Sequence, residues 1–367
     1  MPPLTVLTIF GTRPEAVKLA PVVRELARRS GLRSRVCVTA QHREQLDQVL
    51  AVFGIAPDRD LDLMRPGQSL PDLTARILTS VSATLAEERP DVVLVQGDTT
   101  TVMAAALGAF YARIPVGHVE AGLRTDDRYS PFPEEINRRI ATTLATWHFA
   151  PTERAAAALR REAVPEETIH VTGNTAIDAL LTIVESTAPP PLPFLRDDRR
   201  MILVTAHRRE SFGAPMEACF GALRAVVERN PDTELAHPVH LNPWVQEPAR
   251  RILGGHDRIH LIASADYATS AHLMGRATLI VTDSGGIQEE APTLGKPTLV
   301  MRQETARPEA IAAGTAPRRH RPRAARRRGR AVAARPGGLR GDGARHQPLR
   351  RRPRGGAERR CHRAARP

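Results

Sequence analysis

The nine residues Thr282-Asp-Ser-Gly-Gly-Ile-Gln-Glu-Glu290 follow the apolar run Ala277-Thr-Leu-Ile-Val281 and lead into Ala291-Pro-Thr-Leu-Gly-Lys-Pro297. A buried strand that ends in a small-residue turn and opens a helix leaves unsatisfied backbone N–H groups at the helix N-terminus, where a phosphate is best held. Ser284, Gly285 and Gly286 are the phosphate candidates. The following Glu pair would repel a phosphate, but one turn further on Glu290 can accept hydrogen bonds from sugar hydroxyls. The pattern suggests a nucleotide-sugar site, and an ordinary Gly-rich strand-to-helix turn is the alternative this segment alone leaves open.

Gly11-Thr-Arg-Pro-Glu-Ala-Val-Lys18 is neither a Walker A loop, since it lacks the GK[ST] ending, nor GxGxxG. Arg13 at the turn and Lys18 one helical turn later can both project toward an anion. The chain has only two lysines, Lys18 and Lys296, and both fall in motif segments. Asp98, Glu120, Glu134 and the adjacent Glu135 supply carboxylates from successive loops. Carboxylates gathered at a cleft raise one another's pKa, which suits proton transfer near neutral pH. Asp98 has a competing role as a helix cap. In His207-Arg-Arg-Glu210, a His followed by two Arg at a strand end is placed to bind diphosphate or shuttle a proton, with Arg209 as a substrate contact. Arg307, beyond the apolar run Thr298-Leu-Val300, adds a further anion contact.

These residues need a scaffold that brings strand ends together. The apolar strand Leu4-Thr-Val-Leu-Thr-Ile-Phe10 precedes a helix with apolar positions at helical spacing over residues 16–29, and the rhythm repeats after residues 35–39, 91–95 and 115–119. Continuous apolar strands alternating with amphipathic helices indicate a parallel sheet covered on both faces. A Pro-rich break at Ala188-Pro-Pro-Pro-Leu-Pro193 interrupts the pattern, and a second series runs through residues 201–205, 233–239, 259–262 and 277–281. Two Rossmann-like doubly wound lobes of the α/β class are expected, residues 1–172 and 173–316. Ligands of such sheets sit outside the carboxyl ends of the strands, where every motif above lies.

The formal net charge of +13 would ordinarily point to nucleic acid or an anionic membrane surface. It is concentrated instead: residues 317–367 hold 19 Arg, one Asp and one Glu, while residues 1–316 hold 34 basic and 38 acidic side chains. Cys37, Cys219 and Cys361 are far apart, with no CxxC pair and no His cluster at ligand spacing, so neither a disulfide framework nor a metal site is expected. Reduced thiols fit the cytoplasm. No apolar run approaches the roughly 18 residues of a membrane span, and no membrane partner is expected.

Taken in order, Phe10-Gly-Thr-Arg-Pro-Glu-Ala16, Thr39-Ala-Gln-His-Arg43, Gln96-Gly-Asp-Thr-Thr100, Gly117-His-Val-Glu-Ala-Gly-Leu-Arg-Thr125, Pro133-Glu-Glu135, Ala206-His-Arg-Arg-Glu-Ser211, Pro238-Val-His-Leu-Asn-Pro243 and the 282–290 segment resemble the non-hydrolysing bacterial UDP-N-acetylglucosamine 2-epimerases. The resemblance runs from Leu4 to about Thr315. It implies a GT-B fold with the site in the cleft between the lobes, a homodimer, and interconversion of UDP-GlcNAc and UDP-ManNAc without NAD or another cofactor. The implied route is anti elimination of UDP to a 2-acetamidoglucal and re-addition, supplying ManNAc units for surface polysaccharide. By the same resemblance Arg13, Lys18, Asp98, Glu120, Glu134 and His207 fall at catalytic and substrate-contacting positions. Ser284, Gly285, Gly286 and Glu290 match the UDP-binding segment, and Arg307 a further substrate-binding Arg. A hydrolysing epimerase and a GT-B glycosyltransferase are the rival readings; nucleic-acid binding rests on the tail arginines alone.

Two departures stand out. Where the family usually carries Leu-Pro-Phe after the Tyr near the uracil, this chain has Ala268-Thr-Ser270 after Tyr267, which predicts weaker uridine binding. Residues 317–367 contain no Phe, Tyr or Trp and only Val332, Leu339 and Leu349 as large aliphatics, too little to complete a fold. Codons allowed for residues 317–358 can be chosen so that, read one base later, they give an amphipathic helical sequence with an NPYGDG segment typical of this family's C-terminus. The tail is therefore expected to be a shifted-frame, disordered segment.

Overall fold

A computed structural model describes residues 2–40, 43–65 and 67–301. The tail from residue 317 and Arg307 lie outside the described residues. In chain order the elements are β1 (Leu4–Phe10), α1 (Arg13–Ala27), β2 (Leu32–Val38), α2 (Arg43–Phe53), β3 (Arg59–Asp60), α3 (Leu70–Glu88), β4 (Val92–Gln96), α4 (Thr100–Tyr111), β5 (Val116–Val119), α5 (Glu134–Leu144), β6 (Trp147–Ala150), α6 (Glu153–Arg161), β7 (Ile169–Val171) and α7 (Thr175–Ser186). They continue as β8 (Arg200–Thr205), α8 (Ala214–Arg229), β9 (Thr233–Pro238), α9 (Pro243–Leu253), β10 (Ile259–Ile262), α10 (Tyr267–Arg276), β11 (Leu279–Thr282), α11 (Gly285–Thr293) and β12 (Thr298–Val300).

The described residues divide into two compact units, with the division inside α7 between Ala179 and Leu180. The first holds a sheet of order β3-β2-β1-β4-β5-β6-β7, the second a sheet of order β10-β9-β8-β11-β12. Every pairing is parallel. Each sheet is therefore doubly wound, and its order reverses at one point: between β1 and β4 in the first unit, between β8 and β11 in the second. At such a switch the chain leaves adjacent strands in opposite directions and a crevice opens at their carboxyl ends.

The strands read as unbroken apolar runs because helices cover both faces. In the first unit Leu7, Ile9, Val93, Val95 and Val116 pack against Ile77, Val81 and Val102 from α3 and α4. In the second, Ile202, Val204, Leu235, Leu279 and Val281 pack against Phe220, Leu223 and Val245 from α8 and α9. Gly122, just after β5, shows how tightly the strand ends are fitted. Its φ is +88°, and a Cβ there would lie 2.3 Å from the Ala155 carbonyl oxygen.

Candidate functional site

In the first unit the candidate side chains gather at the β1/β4 switch. The turn after β1 is shaped by Glu15, which is almost wholly buried. Its Oε2 accepts from the backbone N–H groups of Gly11 (3.1 Å) and Thr12 (2.7 Å), closing a capping box at the start of α1. Its Oε1 accepts from the Thr99 hydroxyl at 2.8 Å. Burial pushes the Glu15 carboxyl up, against the lowering effect of these donors. This carboxylate thus joins the turn that carries Arg13 and Lys18 to the one that carries Asp98. Arg13 itself is exposed.

Lys18 reaches the loop after β5: its Nζ donates to Glu120 Oε1 at 2.7 Å and Oε2 at 2.5 Å. Gln96 Nε2 also donates to Glu120 Oε2. Glu120 adopts φ +63°, the left-handed region that costs a non-glycine residue of order 1–3 kcal/mol. Such strain persists only where the surroundings hold it, and here a Lys and a Gln hold the carboxylate.

Asp98 is not the helix cap that its position allows; Thr99 takes that role, its hydroxyl accepting from the Val102 N–H. Asp98 Oδ2 instead receives Arg138 NH2 at 2.5 Å, and its carbonyl receives Asn137 Nδ2 at 3.0 Å. The preceding carbonyl, of Gly97, contacts His118 Nε2 at 2.7 Å. Burial pushes the Asp98 carboxyl up; Arg138 opposes this, and the Glu120 and Glu134 charges add to it. The carboxylates are therefore close enough to feel one another, but a cation also pairs with each of Asp98 and Glu120.

The adjacent glutamates of α5 separate by role. Glu135 is wholly buried and accepts from Thr125 N–H (3.1 Å) and Arg139 Nε (2.9 Å), clamping the loop before α5. Glu134, at the first position of α5, has a buried Oε2 with no hydrogen-bond partner among the described residues.

In the second unit the β8/β11 switch collects the other set. His207 follows β8, its ring stacked on His240 with centroids 5.9 Å apart. Its Nδ1 lies 3.2 Å from Oδ1 of Asp283, a wholly buried carboxylate at the end of β11. Arg209 is exposed in a single 3-10 turn, Arg209–Ser211. Ser284 is the N-cap of α11 but makes no side-chain capping bond, so its hydroxyl does not satisfy the N–H groups at Gly285 and Gly286. Glu290 is half-buried on the same helix. The Tyr267 phenol is pushed up by burial and then by the Glu290 charge, which places the helix carrying the sugar-hydroxyl candidate near the first turn of α10, where the chain departs from the family pattern and is helical, not the expected loop.

The structure thus brings Lys18 to Glu120, Asp98 to Glu134, and His207 to the turn that opens α11. Sequence reasoning did not single out Gln96, Arg138, Glu15 or Asp283. Glu15, Gln96 and Asp283 lie inside the motifs that carry the resemblance, and strand-end position is the signal that marks Gln96 and Asp283.

The sequence profile of the UDP-N-acetylglucosamine 2-epimerases matches residues 24–323. A UDP-N-acetylglucosamine 2-epimerase of Yersinia pestis is 56% identical over 321 residues, 85% of each chain. One of Salmonella typhimurium is 55% identical over the same length and shares. The crystal structure of the Neisseria meningitidis UDP-GlcNAc 2-epimerase bound to UDP-GlcNAc is 44% identical, with a TM-score of 0.84 over 95% of this chain and 96% of its own. The α/β fold is of GT-B type. With a profile that spans most of the chain and relatives above half identity, the chain belongs to the UDP-N-acetylglucosamine 2-epimerase family.

Proposed function

We propose that this protein interconverts UDP-GlcNAc and UDP-ManNAc by a non-hydrolysing route. The observation that carries the reading is the acid-rich strand-end cluster of the first unit: Asp98 pushed up by burial, Glu134 with a buried unpartnered oxygen, and Glu120 held by Lys18. A carboxylate takes the C2 proton while the C1–O bond breaks, its electron pair leaving on the diphosphate oxygen and a C1=C2 bond forming. Re-addition of UDP to C1 with a proton delivered to the other face of C2 closes the cycle. Asp98, Glu120 and Glu134 serve the proton steps with His207. Arg13, Lys18, Arg209 and Arg307, with the N–H groups at Ser284, Gly285 and Gly286, stabilise the departing diphosphate. Glu290 receives sugar hydroxyls.

In this reading residues 1–172 form the acid-bearing lobe and residues 173–316 the UDP-binding lobe, the protein works as a cytoplasmic homodimer with no cofactor, and its product feeds surface polysaccharide. Among the described residues no helix is long and apolar enough to cross a membrane.

Incubation with UDP-GlcNAc in deuterated water tests the reading. Deuterium should appear at C2 of both nucleotide sugars. Free ManNAc with UDP would instead identify a hydrolysing enzyme, and a C2 hydrogen left untouched would leave glycosyl transfer as the better account.

A further inference from the structure

Asp283 is 0% exposed, yet among the described residues no Lys or Arg is paired with it. A buried carboxylate without a cation persists only if N–H donors replace its lost water. Three do so. The backbone N–H groups of His207 (3.0 Å) and Arg208 (2.9 Å) point at Oδ2, and His207 Nδ1 lies 3.2 Å from Oδ1. The carboxylate therefore grips the loop after β8 by its backbone and by the ring of its first polar residue. It does so from the neighbouring strand across the sheet's switch point.

A carboxylate only accepts, so the imidazole must carry its hydrogen on Nδ1 in this contact, and the basic lone pair of the neutral ring then lies on Nε2. His207 is 35% exposed, within reach of a ligand that the buried Asp283 cannot meet. We propose that Asp283 is a positioning residue: it fixes the tautomer and direction of His207 so that Nε2 exchanges a proton during the reaction. When Nε2 takes a proton the ring becomes imidazolium, with its Nδ1–H still facing Asp283. The buried negative charge offsets the new positive one, and releasing the proton restores the neutral ring. This inference rests on the epimerase reading for its reaction but not for its geometry.

The test uses the full chain labelled with 15N-histidine, with the His207 signals assigned through His207→Gln. At pH 8 the wild-type ring should be the Nδ1–H tautomer; an Nε2–H ring would overturn the proposal without any variant. In Asp283→Asn the amide can still accept from the backbone N–H groups but donates to Nδ1, so the ring should switch to Nε2–H. With UDP-GlcNAc, kcat should fall about 10²-fold or more while KM stays within about threefold. A solely structural role predicts losses that add. Acting through His207 predicts that Asp283→Asn costs almost nothing more in the His207→Gln background. An unchanged tautomer, a kcat within threefold of wild type, or additive losses would each overturn the proposal. If wild type shows no C2 exchange, the epimerase reading fails on that measurement, and the claim for a proton step at Nε2 falls with it, whatever tautomer is found.

Discussion

At the residue scale, neighbours of like type separate by what surrounds them. Glu134 and Glu135 are adjacent carboxylates at the start of α5, but only Glu135 is tied to internal donors. Glu134→Gln removes no hydrogen bond among the described residues, so stability should hold within about 0.5 kcal/mol. Turnover should fall roughly 10²–10⁴-fold if the carboxylate moves a proton. Glu135→Ala leaves Thr125 and two arginines facing a cavity and should cost about 3–5 kcal/mol. Denaturant unfolding beside kcat for the two variants checks the split, and comparable destabilisation by both would remove the functional reading of Glu134. The sequence offered these two residues as equals. The side on which a helix packs decides between them, and adjacent residues on a helix point about 100° apart.

At the element scale the parallel strands were legible because burial on both faces leaves uninterrupted apolar runs, and β1 spans the residues that its pattern predicts. Three strands gave no such run. β3 is two exposed charged residues held at the edge by pairing with β2. The short β6 and β7 include His148 and His170, which masks their apolar character. The site was legible to the same extent: residues at strand ends could be named, but pairing partners such as Arg138 come from a helix face 40 residues away. The turns are as specific as the strands. In Gly122→Ala a left-handed backbone and a Cβ 2.3 Å from the Ala155 carbonyl oxygen both oppose the side chain. The loss should reach at least about 2 kcal/mol, read as a lowered urea midpoint, and should shift the Glu120 loop enough to depress turnover. A neutral result would mean that this junction yields more easily than its geometry indicates.

For the whole molecule, each unit buries a histidine whose pKa burial depresses to about 4, His118 in the first and His237 in the second. The folded state binds these protons less well than the unfolded chain, whose value is near 6.5. Their stability contribution is therefore complete above pH 6.5 and is lost as pH falls toward 4, by up to about 3 kcal/mol each. Glu15 and Asp98, raised by burial, have the opposite sign and offset part of this loss. Urea midpoints should drop between pH 6.5 and 4.5, and less so in a His118→Gln, His237→Gln double variant. A second whole-molecule expectation concerns residues 317–367, which lie outside the described residues. Their sequence has 19 Arg and only three large aliphatics, whereas codons allowed for it, read one base later, can be chosen to encode an amphipathic, helix-patterned segment. Apolar surface contributes about 25 cal/mol per Å² when buried, so a segment able to bury it should stabilise the fold. All the candidate site residues precede that point, and substrate binding should therefore be affected less than stability. A protein carrying the alternative frame is expected to melt several degrees higher and turn over UDP-GlcNAc faster than the chain as written. Equal melting temperature and equal kcat in the two proteins would show that the arginine-rich sequence is no defect.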